Sequence, residues 1–334
     1  MSLTFRPLAA GLALFLLGSG PLASAKEASA DVKVSGSPAA ITGAKTVAIG
    51  AFNVGFIFES LDQTKDVGGV IGAVSGASRA KSELLGVTPA MMQAITDGAF
   101  TDFSVRLQNA GYVIQDPSVM FSNPGVAKAK AMGDPQEVKI QLEKKSTGKA
   151  IYYKPTALPR QLMMLEDFTG SGMSSIGANM AASQRGFWLQ QYAKDSGLPV
   201  IDVTYLIDFS DQKRPGGLTL AGINVNANLS VVPVYSKMSV LAGGKKAVFE
   251  LRRQLSVDGE FVDRAESGKT ASTVTSGLKV ASALARGLFG TPDFAGAKTR
   301  KVTFTARPDA YREGAVKVAG LANEAILKAL AGAK

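Results

Sequence analysis

The clearest alternation of apolar and polar positions lies between residues 200 and 258. From Val200 to Phe209 every second residue is apolar, and the same pattern returns over 223–235 and 247–257. Strict alternation of this kind is typical of β-strands. Gly243-Gly244 separates the last two runs and favours a tight hairpin turn. The pattern predicts an antiparallel β-meander over 200–258.

Further patterns place this meander in a larger sheet. Residues 46–58 are apolar on both sides of an alternating run, which indicates a central strand covered on both faces. Apolar residues at helical spacing predict helices over 89–110, 176–194 and 309–330. The side of the second helix predicted to face the sheet carries Ile176, Met180, Phe187 and Tyr192. We therefore predict an α+β fold, an α/β sandwich with helices packed on a mixed sheet, as a single domain over 46–331.

The amino end has the features of a secretory signal. Residues 1–25 contain one cation, Arg6, then an apolar run over 8–17 and the small-x-small sequence Ala23-Ser24-Ala25. The run is too short to cross the ~30 Å apolar core of a bilayer as a helix. We expect an exported protein, periplasmic or outer-membrane-associated, with residues 26–45 as a linker. No cysteine follows the cleavage site, so we do not expect a lipoprotein.

Two absent residue types exclude most catalytic schemes. The chain has no cysteine and no histidine, which removes disulfides, thiolate nucleophiles, Cys/His zinc sites and histidine-dependent triads. Its formal charge is +10, and it becomes +9 without the signal because that segment holds one cation and no anion. This excess is diffuse, so we expect no nucleic-acid partner and no cofactor. A binder of anionic cell-wall glycan is one alternative function.

The remaining catalytic patterns are weak. The segment 170–175 has serine where a dinucleotide-binding loop has its third glycine, and no K-T-G follows any S-x-x-K sequence. Asp202 and Asp208 share one face of their strand, which leaves a carboxylate-dependent glycoside hydrolase as a second alternative. The alternation places both carboxylates on the solvated side, so we predict that the protein is not an enzyme.

Two sets of residues are candidates for oligomer or membrane contacts. Gly68, Gly72 and Gly76 recur every four residues, a spacing that permits close helix packing, although a plain glycine-rich loop fits as well. Asn224, Asn226, Asn228 and Ser230 form a polar ladder along a predicted strand, and the three asparagines are the candidate contacts. The ladder is either the solvent face of a sheet or the polar side of an amphipathic hairpin, 222–258, that enters a membrane within an oligomer.

The order of elements resembles a known periplasmic domain. The strand TVAIGAFNV, the helix TPAMMQAITDGAFTDFSVRLQNAG and the short strand YVIQDP are similar in layout to the α/β domain of curli-secretion-channel proteins and of the amino-terminal domain of TolB. The later strands and the closing helix, YREGAVKVAGLANEAILKAL, fit the same plan. The resemblance implies a non-catalytic envelope protein that oligomerises, in secretion or in the assembly of surface structures. Curli-type channels carry a lipid anchor, which this chain lacks, and the resemblance assigns no functional residue.

Overall fold

The computed structural model describes residues 31–63, 79–143, 146–168, 176–213, 224–266 and 299–333. The strands are β1 (Val32–Gly36), β2 (Thr46–Gln63), β3 (Arg79–Leu85), β4 (Val113–Ile114), β5 (Gln136–Glu143), β6 (Ser146–Tyr153), β7 (Val200–Lys213), β8 (Asn224–Val231), β9 (Lys237–Ala242), β10 (Lys245–Leu251), β11 (Leu255–Val257), β12 (Val262–Glu266) and β13 (Thr299–Ala306). The helices are α1 (Pro89–Asn109), α2 (Pro117–Phe121), α3 (Pro124–Ala127), α4 (Ile176–Ser196) and α5 (Pro308–Gly332). This mixed sheet with packed helices confirms the predicted α+β class and the three long helices.

Strand β2 is the centre of the sheet. It pairs in parallel with β7 along residues 48–56, and antiparallel with β6 along 54–62 and with β3 along 59–63. Its side chains alternate between the two faces, and both sets are buried: Phe52 and Phe56 lie on one face, and Ala51 and Asn53 on the other. The prediction of a covered central strand is confirmed, and the strand runs five residues further than predicted, to Gln63.

The predicted antiparallel meander is confirmed: β7 pairs antiparallel with β8 and β9, β9 with β10, and β8 with β11. Its second strand is two strands, β8 and β9, which lie end to end along β7 and are separated by a 3-10 turn at Pro233–Tyr235. Pro233 has no amide hydrogen to donate to a ladder, which accounts for the break. Strands β9 and β10 do form the predicted hairpin, with Gly243 and Gly244 at φ 54° and 80°.

The predicted linker also contains structure. Within the interval 26–45, β1 pairs antiparallel with the edge of β10, and a 3-10 turn follows at Pro38–Ala40. Only Val32 of β1 is buried, because the strand lies at the edge of the sheet. One buried side chain leaves no periodic signal, which is why the sequence pattern indicated a linker here.

Six strands form a ribbon in the order β5-β6-β2-β3-β13-β12. Strand pairing places eight strand termini at one end of the sheet, which we call the distal end. These termini are Gln63, Arg79, Glu143, Ser146, Lys213, Asn224, Glu266 and Thr299. The carboxyl end of α1 lies at the opposite end, since it leads into β4 beside the start of β2.

Helices α1 and α5 cover one face of the sheet with an aromatic core. The ring of Phe52 lies 5.4 Å from Phe100, 5.5 Å from Phe103 and 5.8 Å from Tyr205. Asn323 of α5 links the layers: it accepts a 2.8 Å hydrogen bond from the Tyr205 hydroxyl and donates to the Ala99 carbonyl, 3.0 Å away. Burial of all these groups makes this face the main structural core.

Helix α4 covers the opposite face and is rotated from its predicted orientation. Met180 and Phe187, predicted to face the sheet, are 62% and 57% exposed. Tyr192 is buried as predicted, and nothing is described of the Ile176 side chain. The buried side of α4 carries Ala182, Arg185, Leu189, Tyr192 and Ala193. The buried arginine and two small alanines hid this face from the periodicity. Within the described part of the chain, no helix is long and apolar enough to cross a membrane.

Candidate functional site

Of the two predicted sets of contact residues, the structure describes the polar ladder but not the glycines. Gly68, Gly72 and Gly76 lie outside the described residues. In β8, Asn224 pairs with Lys213 and Asn226 with Asp211, so both lie at the distal end. Asn228 is half-buried beside a bulge between β7 and β8. The structure therefore brings the ladder, but not the glycines, into a described surface.

The described strands of the hairpin 222–258 are buried in this fold, and its entry into a membrane stays a prediction. Strand β9 is buried on both faces from Lys237 to Leu241, and Leu229 and Val231 of β8 are fully buried. Ser230 of the polar ladder is also buried and accepts a 2.6 Å hydrogen bond from Gln254. Helix α5 packs against β8 and helix α4 against β9, while β7 pairs along both strands.

Arg253 occupies an apolar position in the alternating run over 247–257. It lies between β10 and β11 rather than inside a strand, and its guanidinium forms a forked ion pair with the carboxylate of Asp31. This pair holds the pKa of Asp31 below its ordinary value, mainly through the hydrogen bond. The interaction fastens the amino end of β1 to the sheet.

Two candidate carboxylates are buried and far apart. Asp202 is 1% and Asp208 9% exposed, so the prediction that they face solvent is wrong. They are six residues apart in one strand, which separates them by about 20 Å at ~3.3 Å per residue. Glycosidase carboxylates lie only ~5–9.5 Å apart. This geometry gives the hydrolase alternative no support.

Asp202 instead belongs to a buried charged cluster beneath α4. The guanidinium of Arg185 donates from Nε to the Met163 carbonyl at 2.6 Å and reaches the Lys130 carbonyl at 3.3 Å. Burial lowers the pKa of Arg185, and the carboxylates of Asp167 and Asp202 oppose that shift. The cluster balances charge inside the fold. Sequence reasoning missed it, because an arginine between small alanines gives this face of the helix no apolar stripe.

The ribbon's exposed face is charge-balanced near its centre. Lys81 pairs with Glu59 at 3.4 Å and Lys149 with Glu137 at 3.0 Å. Burial raises the pKa of Glu59, and the neighbouring Lys81 opposes the shift. Adjacent opposite charges of this kind suit a solvated strand surface and offer no catalytic group. Among the described residues there is no cluster of three potential metal ligands.

The two edges of the ribbon differ. At β5, the Tyr235 hydroxyl donates to the Gln141 carbonyl at 2.9 Å and accepts from the Gln141 amide at 3.1 Å, so both backbone groups of that residue are occupied. At the other edge, β12 pairs with no described strand except β13. Asp263, Arg264 and Ala265 of β12 are exposed. The Tyr235 side chain therefore occupies one residue of the β5 edge, whereas the outer edge of β12 meets no described strand.

Hydrogen bonding defines which groups of β12 point outward. The Arg307 amide donates to the Phe261 carbonyl at 2.9 Å, just before β12 begins. In an antiparallel ladder the bonded pairs alternate, so Asp263 and Ala265 bond to β13 while the backbone groups of Arg264 and Glu266 point away from it. Arg307 also holds β12 by ion pairs from its guanidinium to Asp263, at 2.7 Å, and to Glu260.

Comparison with known proteins adds no family. No protein-family model matches the chain, and neither does any curated protein or solved structure. The similarity of layout to curli-secretion-channel and TolB domains therefore stays a prediction.

Proposed function

We propose that the protein is an exported, non-catalytic protein of the cell envelope that works as a homo-oligomer, in secretion or in the assembly of surface structures. The observation that carries this proposal is the open edge at β12. Unpaired strand edges are ready templates for pairing with another chain, and proteins that stay monomeric commonly cover them. Tyr235 occupies the backbone groups of Gln141 at the β5 edge, whereas no described strand pairs with the outer edge of β12.

The sequence of β12 suits pairing with a second copy of itself. A two-fold axis at Ala265 would place Arg264 of one copy opposite Glu266 of the other, twice across the interface. Both are residues whose backbone groups point outward, so this register joins hydrogen-bonding groups as well as opposite charges. The small Ala265 side chain permits the close approach of the non-bonded pair at the axis.

Single-cysteine variants test this contact without background, since the chain has no cysteine. We expect Ala265→Cys to form a disulfide-linked dimer under mild oxidation, because opposed residues of a non-bonded antiparallel pair lie within ~5 Å at Cβ. Gln108→Cys, exposed at the carboxyl end of α1 and away from the distal end, is the matched control and should stay single. Absence of the Ala265→Cys dimer, or equal linkage of both variants, contradicts the β12 contact.

A further inference from the structure

Helix α4 exposes large apolar side chains on its outer face. Met180 and Phe187 are 62% and 57% exposed, and they are two helical turns apart, about 10.5 Å along one side. Ser183 and Gln184 are exposed between them. Arg185 is the only charged residue from Ile176 to Tyr192, and it is buried against the sheet. The described outer face of α4 is therefore uncharged, with Met180 and Phe187 protruding on either side of Ser183 and Gln184.

A group of cations flanks this face. Lys128 lies over Trp188, with Nζ 4.8 Å from the ring centroid, and the Trp188 ring is 5.0 Å from that of Phe187. Lys130 is exposed two residues further along, and its carbonyl accepts from Arg185 of α4. Arg160 donates to the carbonyls that end α3, the nearest at 3.0 Å.

Lys128, Lys130 and Arg160 pair with no carboxylate in the described part of the chain. Lys81, Lys149 and Lys154 elsewhere do form such ion pairs. The three cations therefore place positive charge beside the protruding apolar side chains of α4. This combination is typical of surfaces that bind anionic membranes, where apolar side chains enter the interface and cations meet lipid phosphates.

We propose that the outer face of α4 docks on the surface of an anionic lipid bilayer. Phe187 and Met180 enter the boundary between headgroups and acyl chains, and Lys128, Lys130 and Arg160 bind the lipid phosphates. The helix lies in the plane of the surface, since Arg185, Leu189 and Tyr192 keep its other side on the sheet. This contact does not require the β12 dimer, which lies on a different element.

A lipid surface fits this patch better than a glycan does. Sugar rings stack on a flat aromatic face, but Trp188 is half-buried with Lys128 above its ring and the α3 backbone at Gly125 close to it. The exposed groups, Phe187 and Met180, instead protrude from a convex helix. Protruding apolar side chains insert into a bilayer, whereas they offer no platform to a polymer of sugars.

Trp188 is the only tryptophan of the chain, which makes its emission a direct reporter. The exported protein should bind vesicles of phosphatidylglycerol mixed with phosphatidylcholine, with a blue shift of Trp188 emission and quenching by brominated acyl chains. Binding should weaken as salt is raised, because the lipid charge is screened. Vesicles of phosphatidylcholine alone should give neither signal.

Variants separate the two parts of the surface. Phe187→Ser combined with Met180→Ser should weaken vesicle binding by at least about tenfold, because two apolar side chains no longer enter the interface. Lys128→Gln combined with Lys130→Gln should weaken it by about 30-fold, at roughly 1 kcal/mol for each cation. Val105→Ser, at a 48% exposed position on α1, is the matched control and should bind as the parent does.

Three outcomes overturn the proposal: no binding to phosphatidylglycerol vesicles, equal binding to both vesicle types, or binding that the α4 variants leave unchanged while thermal unfolding shows them folded. Retention on isolated cell-wall glycan without vesicle binding would also overturn it, in favour of a polymer ligand. The Ala265→Cys experiment is read without lipid, so failure here is distinguishable from failure of the oligomer.

Discussion

The two edge strands of the ribbon, β5 and β12, differ in what contacts their outward backbone groups. At β5, a buried tyrosine from the turn between β8 and β9 occupies the amide and the carbonyl of Gln141. At β12, a guanidinium fixes the strand from its inner side through Asp263, and the outward backbone groups meet no described strand. We propose that β12, whose outer edge meets no described strand, is the edge that pairs with a second chain.

Removal of the outward backbone amide of β12 should have the largest effect of the variants considered, and the quantity that it changes is the dissociation of the dimer. Arg264→Pro deletes a donor that does not serve the ladder with β13, so the monomer should fold while the dimer loses two symmetric hydrogen bonds. At about 0.5–1.5 kcal/mol for each bond, dimer dissociation should become roughly 10- to 100-fold easier. Sedimentation equilibrium measures this change.

Arg264→Ala is the control for that variant, because it removes the same side chain and keeps the amide. We expect it to weaken the dimer less than proline does, because it loses only the two symmetric exposed charge pairs, each worth at most about 1 kcal/mol, which the proline variant loses as well. If Arg264→Pro and Arg264→Ala sediment alike, backbone pairing at β12 is not the basis of the contact.

Opening the capped edge should cost a smaller amount of stability. Tyr235→Phe deletes the hydroxyl that serves both backbone groups of Gln141, and we expect a loss of about 1–2 kcal/mol in the free energy of unfolding. Urea unfolding measures it. Tyr192→Phe is the comparison, since its hydroxyl makes a single 2.7 Å bond to the Gln115 side chain. A loss no greater for Tyr235→Phe than for Tyr192→Phe would show that the cap at β5 is unimportant.

The ion pair between Arg307 and Asp263, which anchors β12, should contribute to the pH dependence of stability. The hydrogen bond from Arg307 holds the pKa of Asp263 below its ordinary value. A carboxyl whose pKa is depressed on folding contributes stability above its unfolded pKa, near 3.8, and that contribution is lost as pH falls through the folded value. Arg307→Gln should therefore flatten the acid limb of thermal unfolding midpoints measured against pH. Parallel acid limbs for parent and variant would argue against this anchor.

Glu59, between the two edges, should show the opposite sign and the smallest effect. Burial raises its pKa above the ordinary value of 4.5, so the folded state retains its proton more readily than the unfolded state does. Its contribution then favours folding at low pH and declines as pH rises through the folded pKa. Glu59→Gln should remove that decline in urea midpoints measured upward from pH 4.5. Were the variant to lose stability with rising pH as the parent does, another group would be responsible.

The sequence predicted those helices and strands in which many buried residues recur at regular helical or strand spacing. Helices α1 and α5 bury Phe103 and Ile326 on continuous apolar stripes, and β2 buries both of its faces. Where few side chains are buried, the pattern failed: β1 buries Val32 alone and was predicted to be part of a linker. The loss is physical, since an edge strand is stabilised mainly by backbone bonds that its residue types do not reveal.

Helix α4 shows a second reason for failure. Its inner face carries Arg185, which is tolerated there because Asp167, Asp202 and two backbone carbonyls surround the guanidinium. Those partners are distant in the sequence, so an inward arginine could not be expected from the helix itself. The exposed Phe187 and Met180 then looked like the buried stripe, and their exposure became visible only in the structure.

The open edge at β12 was beyond sequence reasoning for a topological reason. Strand β13 pairs in parallel with β3, more than two hundred residues earlier, and only that pairing puts β12 at the end of the ribbon. In contrast, the break at Pro233 could have been predicted, because proline cannot donate within a ladder. The polar ladder was correctly located on a strand, yet Ser230 shows that part of it is buried rather than solvated.

The molar mass of the exported protein in solution tests the central claim most directly. Size-exclusion chromatography with light scattering, in buffer and again in mild detergent, should give a mass of at least two chains. The apparent mass should fall on dilution for Arg264→Pro before it does so for the parent protein. A mass of one chain at every concentration, in both solutions, would contradict the assignment of this protein to an oligomeric assembly.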